Sequence, residues 1–166
     1  MAISFVRIDD RVIHGQLVTR WAKELPCDGI VAIDDVVAAD PLLSSVMKGA
    51  VQDTKVWLFT VAQAIEKLPK VIASDKQYFV IGKSPVTLRR LLEAGIDLNN
   101  RNQKINVGPM SARAQTVTIG PNQSVNHEES AAFDFLSERG HAIEFRLVPD
   151  ASHFSWLDAK KKLKQV

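Results

Sequence analysis

Seven short apolar runs recur along this chain, and most are apolar at consecutive positions rather than at alternate ones. They are ISFVRI near residue 3, GIVAI at 29, KVWLF at 55, QYFVI at 77, KINV at 104, TVTI at 116 and HAIEFRLV at 141. A strand apolar at successive positions must be covered on both faces, which is the condition of a parallel sheet between two layers of helices. The segments between the runs carry helix starts. Asp40-Pro41 and Ser84-Pro85 each set a capping side chain before a proline at the first helical position. Thr60 with Gln63, and Asn126 with Glu129, have the spacing of reciprocal capping pairs. Gly95 and Gly140 stand where the corresponding helices should close. Strand alternating with helix predicts a doubly wound α/β fold, its sheet mainly parallel, with right-handed crossovers.

From Gly108 to Ser124 the helical pattern stops. INVG and TVTIG stand close together among turn residues, which predicts a β-hairpin or an antiparallel edge strand. The tail from Trp156 to Leu163 reads as a short basic helix with a solvated face. No repeat or linker divides the chain, so one domain over residues 1–166 is expected. At 166 residues and 46% hydrophobic, such a domain can bury one substantial core. A charged fraction of 24% and a net charge of +2 are too evenly mixed to argue for nucleic acid or an anionic membrane. The apolar runs fall far short of the roughly 18 residues of a membrane span. The start MAISFVRIDD reaches charge too early for a secretory signal. One cysteine, Cys27, excludes a disulfide framework and a multi-cysteine zinc site, and it reads as a small buried thiol. These features predict a cytosolic protein.

The chemistry is concentrated in RIDDRVIHGQLVTRW, Arg7 to Trp21. His14 and Gly15 fall in a turn between the first strand and an amphipathic helix. Leu17, Val18, Trp21, Ala22 and Leu25 form its apolar face, while Gln16, Arg20 and Lys23 share the opposite one. In an open α/β sheet, ligands collect at the carboxyl ends of strands, where His14 stands. The free amides and dipole of a helix N-terminus favour an anion. Gly15 would let the backbone approach a phosphoryl group, and Arg11 offers a fork of donors matched to its oxygens. Two readings of these residues are open. In one, His14 is a capping or surface histidine while Arg7 pairs with Asp9 or Asp10. In the other, the loop handles phosphate, with His14 and Arg11 in catalytic roles and Arg7, Asp10, Gly15 and Gln16 around the anion. Arg7, Arg11, Arg20 and Lys23 would then present a basic rim, Arg20 and Lys23 serving to dock an acidic or phosphorylated partner.

Competing motifs fail on position. Gly82-Lys83-Ser84 resembles the end of a phosphate-binding P-loop, but that pattern needs a glycine where Gln77 stands. A receiver domain needs its phosphoacceptor aspartate after strand three, where this chain has Phe59 and Thr60. His127, His141 and His153 have no acid or cysteine at metal-ligand spacing, so neither metal nor cofactor is expected. Asp34 and Asp35, ending strand two, read as turn caps.

RIDDRVIHGQLVTRW resembles the N-terminal signature of the enzyme IIB components of the mannose-type (mannose/fructose/sorbose) sugar phosphotransferase system. AIDDVVAADP resembles the second strand and following loop of those proteins, INVGPM the fifth strand and its turn, and FRLVPDAS the last strand and its exit. The resemblance implies that His14 is phosphorylated through Nδ1, with Arg11 as its phosphate-binding arginine. It also implies a phosphorylated IIA donor and a membrane IIC/IID sugar permease as partners, at the inner face of the membrane. After strand five this chain reads PMSARAQTVTIGPNQ where many members are lysine-rich, so binding residues of that loop do not carry over by position, and Arg113 is no more than a candidate there. The alternative from another class is a non-catalytic α/β module that binds an anion or a regulatory partner through the same helix N-terminus.

Overall fold

The apolar runs at residues 3, 29, 55 and 77 form strands that feed two cores, and those at 104, 116 and 141 feed one of them. A computed structural model describes residues 1–164. In chain order the elements are β1 (Ile3–Ile8), α1 (Gly15–Ala22), β2 (Gly29–Ile33), α2 (Asp35–Ala39), α3 (Pro41–Gly49), β3 (Lys55–Phe59), α4 (Val61–Ile72) and β4 (Tyr78–Gly82). They continue with α5 (Pro85–Glu93), β5 (Lys104–Val107), β6 (Val117–Gly120), β7 (Gln123–Val125), α6 (His127–Glu138), β8 (Ala142–Phe145), β9 (Phe154–Ser155) and α7 (Trp156–Leu163). The main sheet has the order β3-β2-β4-β1-β5-β8-β9, parallel throughout except for β9.

Successive side chains of a strand point to opposite faces. Ile30, Ala32, Phe79 and Ile81 accordingly pack with Val18 and Trp21 of α1, and Val37 of α2, on one side. Val31, Ile33 and Val80 join Leu68 of α4, Leu88 of α5, Phe133 of α6 and Trp156 of α7 on the other. The fold is therefore the doubly wound α/β arrangement expected. Trp21 fixes α1 in place: it stacks on Phe5 with ring centroids 4.7 Å apart, and its indole N–H donates to the Leu147 carbonyl at 3.2 Å. Truncating such a residue costs about 3–5 kcal/mol.

The local helix signals all operate. Asp40 and Ser84 cap α3 and α5 ahead of their prolines, and full capping boxes close at Thr60/Gln63 and Asn126/Glu129. Gly95 and Gly140 follow α5 and α6 with φ of +87° and +91°, values that a side chain would strain. Asp34 caps α2 through the Val37 amide, as read from the sequence. Asp35 reaches further, to the Val61 amide and Arg90, and those bonds hold its carboxyl below the usual carboxylate range.

Two expectations are corrected, the place of INVG and that of Ala22, while the expected hairpin and the solvated face of the tail helix are present. INVG is no hairpin arm: β5 lies between β1 and β8 in parallel, because Ile105 and Val107 are needed in the core. The hairpin is β6 with β7, a separate two-stranded sheet, and the antiparallel edge of the main sheet is β9. Ala22 is exposed rather than part of the apolar face of α1. The tail helix does present lysines to solvent, but Trp156 and Ala159 bind it to the core.

Candidate functional site

The strands β1, β5 and β8 end side by side, and the loops leaving them build the site. His14 is the N-cap residue of α1, half-buried, with φ −118° and ψ 106°. Its side chain makes no capping hydrogen bond, and Nδ1 is buried without a partner in the protein. The His14 carbonyl accepts the Val18 amide at 3.0 Å, so the first-turn amides of Gly15, Gln16 and Leu17 have no intrahelical acceptor. No acidic residue occupies that first turn. Donors and dipole both face outward there.

His14 and the exposed Arg11 line one cleft of about 460 Å³. Its far wall is the Pro109–Ala112 segment and the β6–β7 turn, with Thr118, Asn122, Gln123 and Ser124; Leu147 after β8 closes one end. These groups are neutral, a mixture of polar and apolar side chains, and apart from His14 the one ionisable residue among the described residues lining the cleft is Arg11. The hairpin wall is fastened by Gln123, whose amide nitrogen donates to the Gly108 carbonyl at 3.1 Å.

The loop that presents Arg11 and His14 is held in a conformation its sequence disfavours. Val12, β-branched and buried, has φ +63°. Its neighbours close a γ-turn around it, the Ile13 amide donating to the Arg11 carbonyl at 2.7 Å. A residue so placed costs about 1–3 kcal/mol. Asp9 offsets it. The Asp9 carbonyl accepts the Val12 amide at 2.9 Å and Oδ1 accepts the Arg11 amide at 3.0 Å. At about 0.5–1.5 kcal/mol each, these bonds and the γ-turn bond are of the size required.

Arg7 is not part of the basic rim, nor of an anion pocket. It points to the same face of β1 as Phe5 and is 1% exposed. Its Nε and Nη2 donate to Asp9 Oδ2, both at 3.3 Å, and Nη1 donates to Asn106 Oδ1. Asn106 in turn donates to the Arg146 carbonyl at 3.0 Å. A side chain on Gly108 would stand 2.2 Å from Arg7 Nη2, so glycine leaves the guanidinium its room. Burial draws the arginine below its ordinary pKa and pushes the Asp9 carboxyl up, while their mutual attraction opposes both shifts.

Asp10 is corrected too. It does not line the His14 cleft; its Oδ2 accepts the Ser111 amide at 2.7 Å and tethers the β5 loop. It belongs to a neighbouring cleft of about 440 Å³ with Asp34, Lys83, Arg113 and Glu129, where its own negative charge would repel an anion. Arg113 is bound there to Glu129 and to the Ser111 carbonyl. Gly15, Gln16 and Arg20 line a third cleft, about 780 Å³, between α1 and the end of α3. The absent side chain of Gly15 has a structural reason as well: a Cβ would lie 2.2 Å from the Ala50 carbonyl oxygen. Arg20 pairs with Asp150, and Lys23 is exposed. Among the described residues no group of three or more His, Cys, Asp and Glu side chains is placed to hold a metal. No helix there is long and apolar enough to cross a membrane.

Asp9, Asn106, Gly108 and Gln123 were not singled out as site residues by sequence reasoning. Asp9 and Arg7 carried a signal: charged residues at the end of a strand buried on both faces need partners. Asn106 and Gln123 carried none, being brought to the loop by pairing between distant segments.

The family model described as the PTS system sorbose subfamily IIB component matches residues 3–166. The chain belongs to that family. This IIB component is 32% identical to the PTS system fructose-specific EIIB component of Bacillus subtilis, over 92% of each chain. It is 29% identical to the PTS system mannose-specific EIIAB component of Escherichia coli, over 98% of this chain and 50% of that protein, so it spans half the length of that relative. The fold matches the IIBSor domain of the sorbose permease from Klebsiella pneumoniae with a TM-score of 0.87, 98% of each chain aligned at 24% identity. As a IIB component, the chain is a member of the phosphotransferase-system proteins.

Proposed function

We propose that the chain relays a phosphoryl group on His14, from a phosphohistidine of a IIA partner to a sugar entering through a membrane IIC/IID complex. One observation carries this reading: His14 and Arg11 face a single cleft at the carboxyl ends of the strands, with the open amides of α1 beside them. In the first step the donor P–N bond breaks as a ring nitrogen of His14 attacks phosphorus, and the donor imidazole leaves. In the second, a sugar hydroxyl attacks, the P–N bond to His14 breaks, and the hydroxyl proton departs to the imidazole or to solvent. The P–N bond itself supplies the driving force, so the exchange requires no nucleotide.

Catalysis is then positioning and charge stabilisation of the equatorial oxygens. Arg11 supplies the guanidinium fork, and the free first-turn amides of α1 supply backbone donors from beside His14, where Leu17 lines the same cleft and Gly15 and Gln16 border the next. If Nδ1 is the acceptor, the imidazole must turn to bring that atom out of its buried setting, and the ring torsion has two broad wells to allow it. Arg20 and Lys23, with Arg11, form the basic rim that meets a donor protein, at the inner face of the membrane where the permease stands. A relative whose name joins IIA to IIB supports such a partner.

The test is covalent. The protein is incubated with phosphoenolpyruvate, enzyme I, the histidine phosphocarrier and a IIA protein, then examined by mass spectrometry. We expect one acid-labile, alkali-stable phosphoryl group on His14, none on His14→Ala, and slowing of at least ~10-fold by Arg11→Ala with unchanged melting. Lysine at position 11 should rescue only in part, since it keeps the charge and loses the fork. Labelling of His14→Ala would overturn the assignment. Binding of a IIA protein without labelling would favour the anion-binding module.

A further inference from the structure

Asp9 fixes two consecutive amides of the His14 loop at once, Arg11 by its side chain and Val12 by its carbonyl. It is itself fixed from two directions, and one of its partners is fixed in turn. Its amide donates to the Gly82 carbonyl of β4 at 3.0 Å, its Oδ2 accepts both Arg7 donors, and Arg7 is seated on β5 by Asn106 above the bare Gly108. A buried ion pair alone is weak ground for a stabilising role, because an apolar pair of the same volume often serves as well. An apolar residue at position 9 would fill the space but leave the Arg11 amide without a side-chain acceptor. What only the carboxylate supplies is its second oxygen, turned towards the loop.

We propose that Asp9, seated by Arg7, is the positioning residue of the phosphoryl-transfer site: it holds the strained Val12 turn so that Arg11 and His14 face one cleft. This rests on the relay reading above. Asp9 and Arg7 touch neither donor nor phosphoryl group. They act through the backbone of residues 11–13. Relaxation at Val12 would swing Arg11 and His14 apart, and misplacement by about 1 Å can cost on the order of 100-fold in rate.

The test follows phosphoryl transfer from a phosphorylated IIA protein to the 166-residue chain as the donor is varied, with thermal melting and NMR exchange of the Arg11 amide recorded on the same samples. Asp9→Asn keeps the shape and removes the charge; Arg7→Lys keeps the buried charge and removes the fork. We expect either change to slow transfer at saturating donor by ~10-fold or more, with half-saturation moved by less than ~2-fold. The Arg11 amide should exchange faster in both. Val12→Gly adopts the turn without strain, so adding it to Asp9→Asn should restore ~3-fold or more of the lost rate. A purely structural pair predicts the reverse, since the glycine also removes a buried side chain.

Transfer by Arg7→Lys and Asp9→Asn within twofold of the unaltered protein would overturn the proposal. So would a loss that tracks the unfolded fraction and deepens with Val12→Gly. If Asp9→Asn does not fold, Arg7→Lys decides by the same measures. Absence of labelling in the unaltered chain overturns the relay reading and this one together. Normal labelling with unaffected variants overturns this one alone.

Discussion

Gly108→Ala should be among the most damaging one-carbon changes available to this protein. The added methyl would lie 2.2 Å from Arg7 Nη2 and 2.6 Å from Cζ, where real contacts begin above 3 Å. A surface arginine would swing aside, but this one is 1% exposed and bonded to Asp9 and Asn106. Retreat by an ångström carries the two 3.3 Å bonds to Asp9 beyond hydrogen-bonding range. Losing one partner of a buried pair costs about 3–5 kcal/mol, and here the partner is displaced rather than removed, so the lower end applies. Alanine also restricts the unfolded chain, which returns about 0.4–1 kcal/mol. The net expectation is a loss of about 2–3 kcal/mol. For a chain of this length that lowers Tm by roughly 4–12 °C, at about 2–4 °C per kcal/mol. Differential scanning calorimetry measures it against Gly49→Ala, where nothing lies within 4 Å of the new methyl and helix propensity predicts a gain of up to ~1 kcal/mol. Equal melting of the two variants would refute the claim that Gly108 makes room for Arg7.

Two further outcomes follow from the surface and from the thiol. Transfer at low protein concentration should slow as salt rises, because charges around His14 are screened over ~8 Å at physiological ionic strength. Arg20→Glu, which also sets two acids side by side at Asp150, should flatten that dependence and slow encounter while leaving the rate at saturating donor intact; stopped-flow titration at two salt concentrations reads both. Burial pushes the Cys27 thiol up to about 11, so its alkylation by iodoacetamide at pH 8 should run roughly 100-fold slower in the native protein than in the unfolded one. The native thiol keeps its proton after the unfolded one has lost it, so the stability tied to this group declines as pH climbs from about 9 to about 11. Equal alkylation rates in native and denatured samples would remove the burial argument.

What the sequence made legible was local or periodic. Asp40-Pro41, Ser84-Pro85 and the two capping boxes act within one helical turn, so their meaning does not depend on the rest of the fold. The placement of His14 after β1 and before α1 was legible for the same reason. The pairing of INVG was not, since the choice between a hairpin and a parallel strand is made by β1 and β8, far away in the chain. Val12 carries no hint of a positive φ, because nothing in valine favours it and the cause is the acceptor on Asp9. Arg7 misled because a charged residue beside a histidine suggests a ligand. Its alternation with Phe5 on a strand covered at both faces buries it, and that could have been read. Gly15 next to His14 suggests room for a phosphoryl group, but part of its reason is the Ala50 carbonyl, a neighbour 35 positions on that no local pattern announces.

The two-stranded β6–β7 sheet has a consequence for how such a protein can diversify. Its strands pair with each other and are anchored to the rest of the chain by the buried Ile119 and Val125 in the main core, by Lys162 of α7, which donates to the Ile119 carbonyl, and by Met110 and the Gln123 side chain. No register in the main sheet depends on them. Exposed positions such as Val117 and Thr118, and the turn at Pro121 and Asn122, can be rewritten without disturbing the strand that carries His14. One bank of the channel is thus fixed by the strand order, while the exposed positions of the opposite bank can change around the buried Ile119, Gln123 and Val125, so new partners can be accommodated by rewriting the outer face of a single short hairpin.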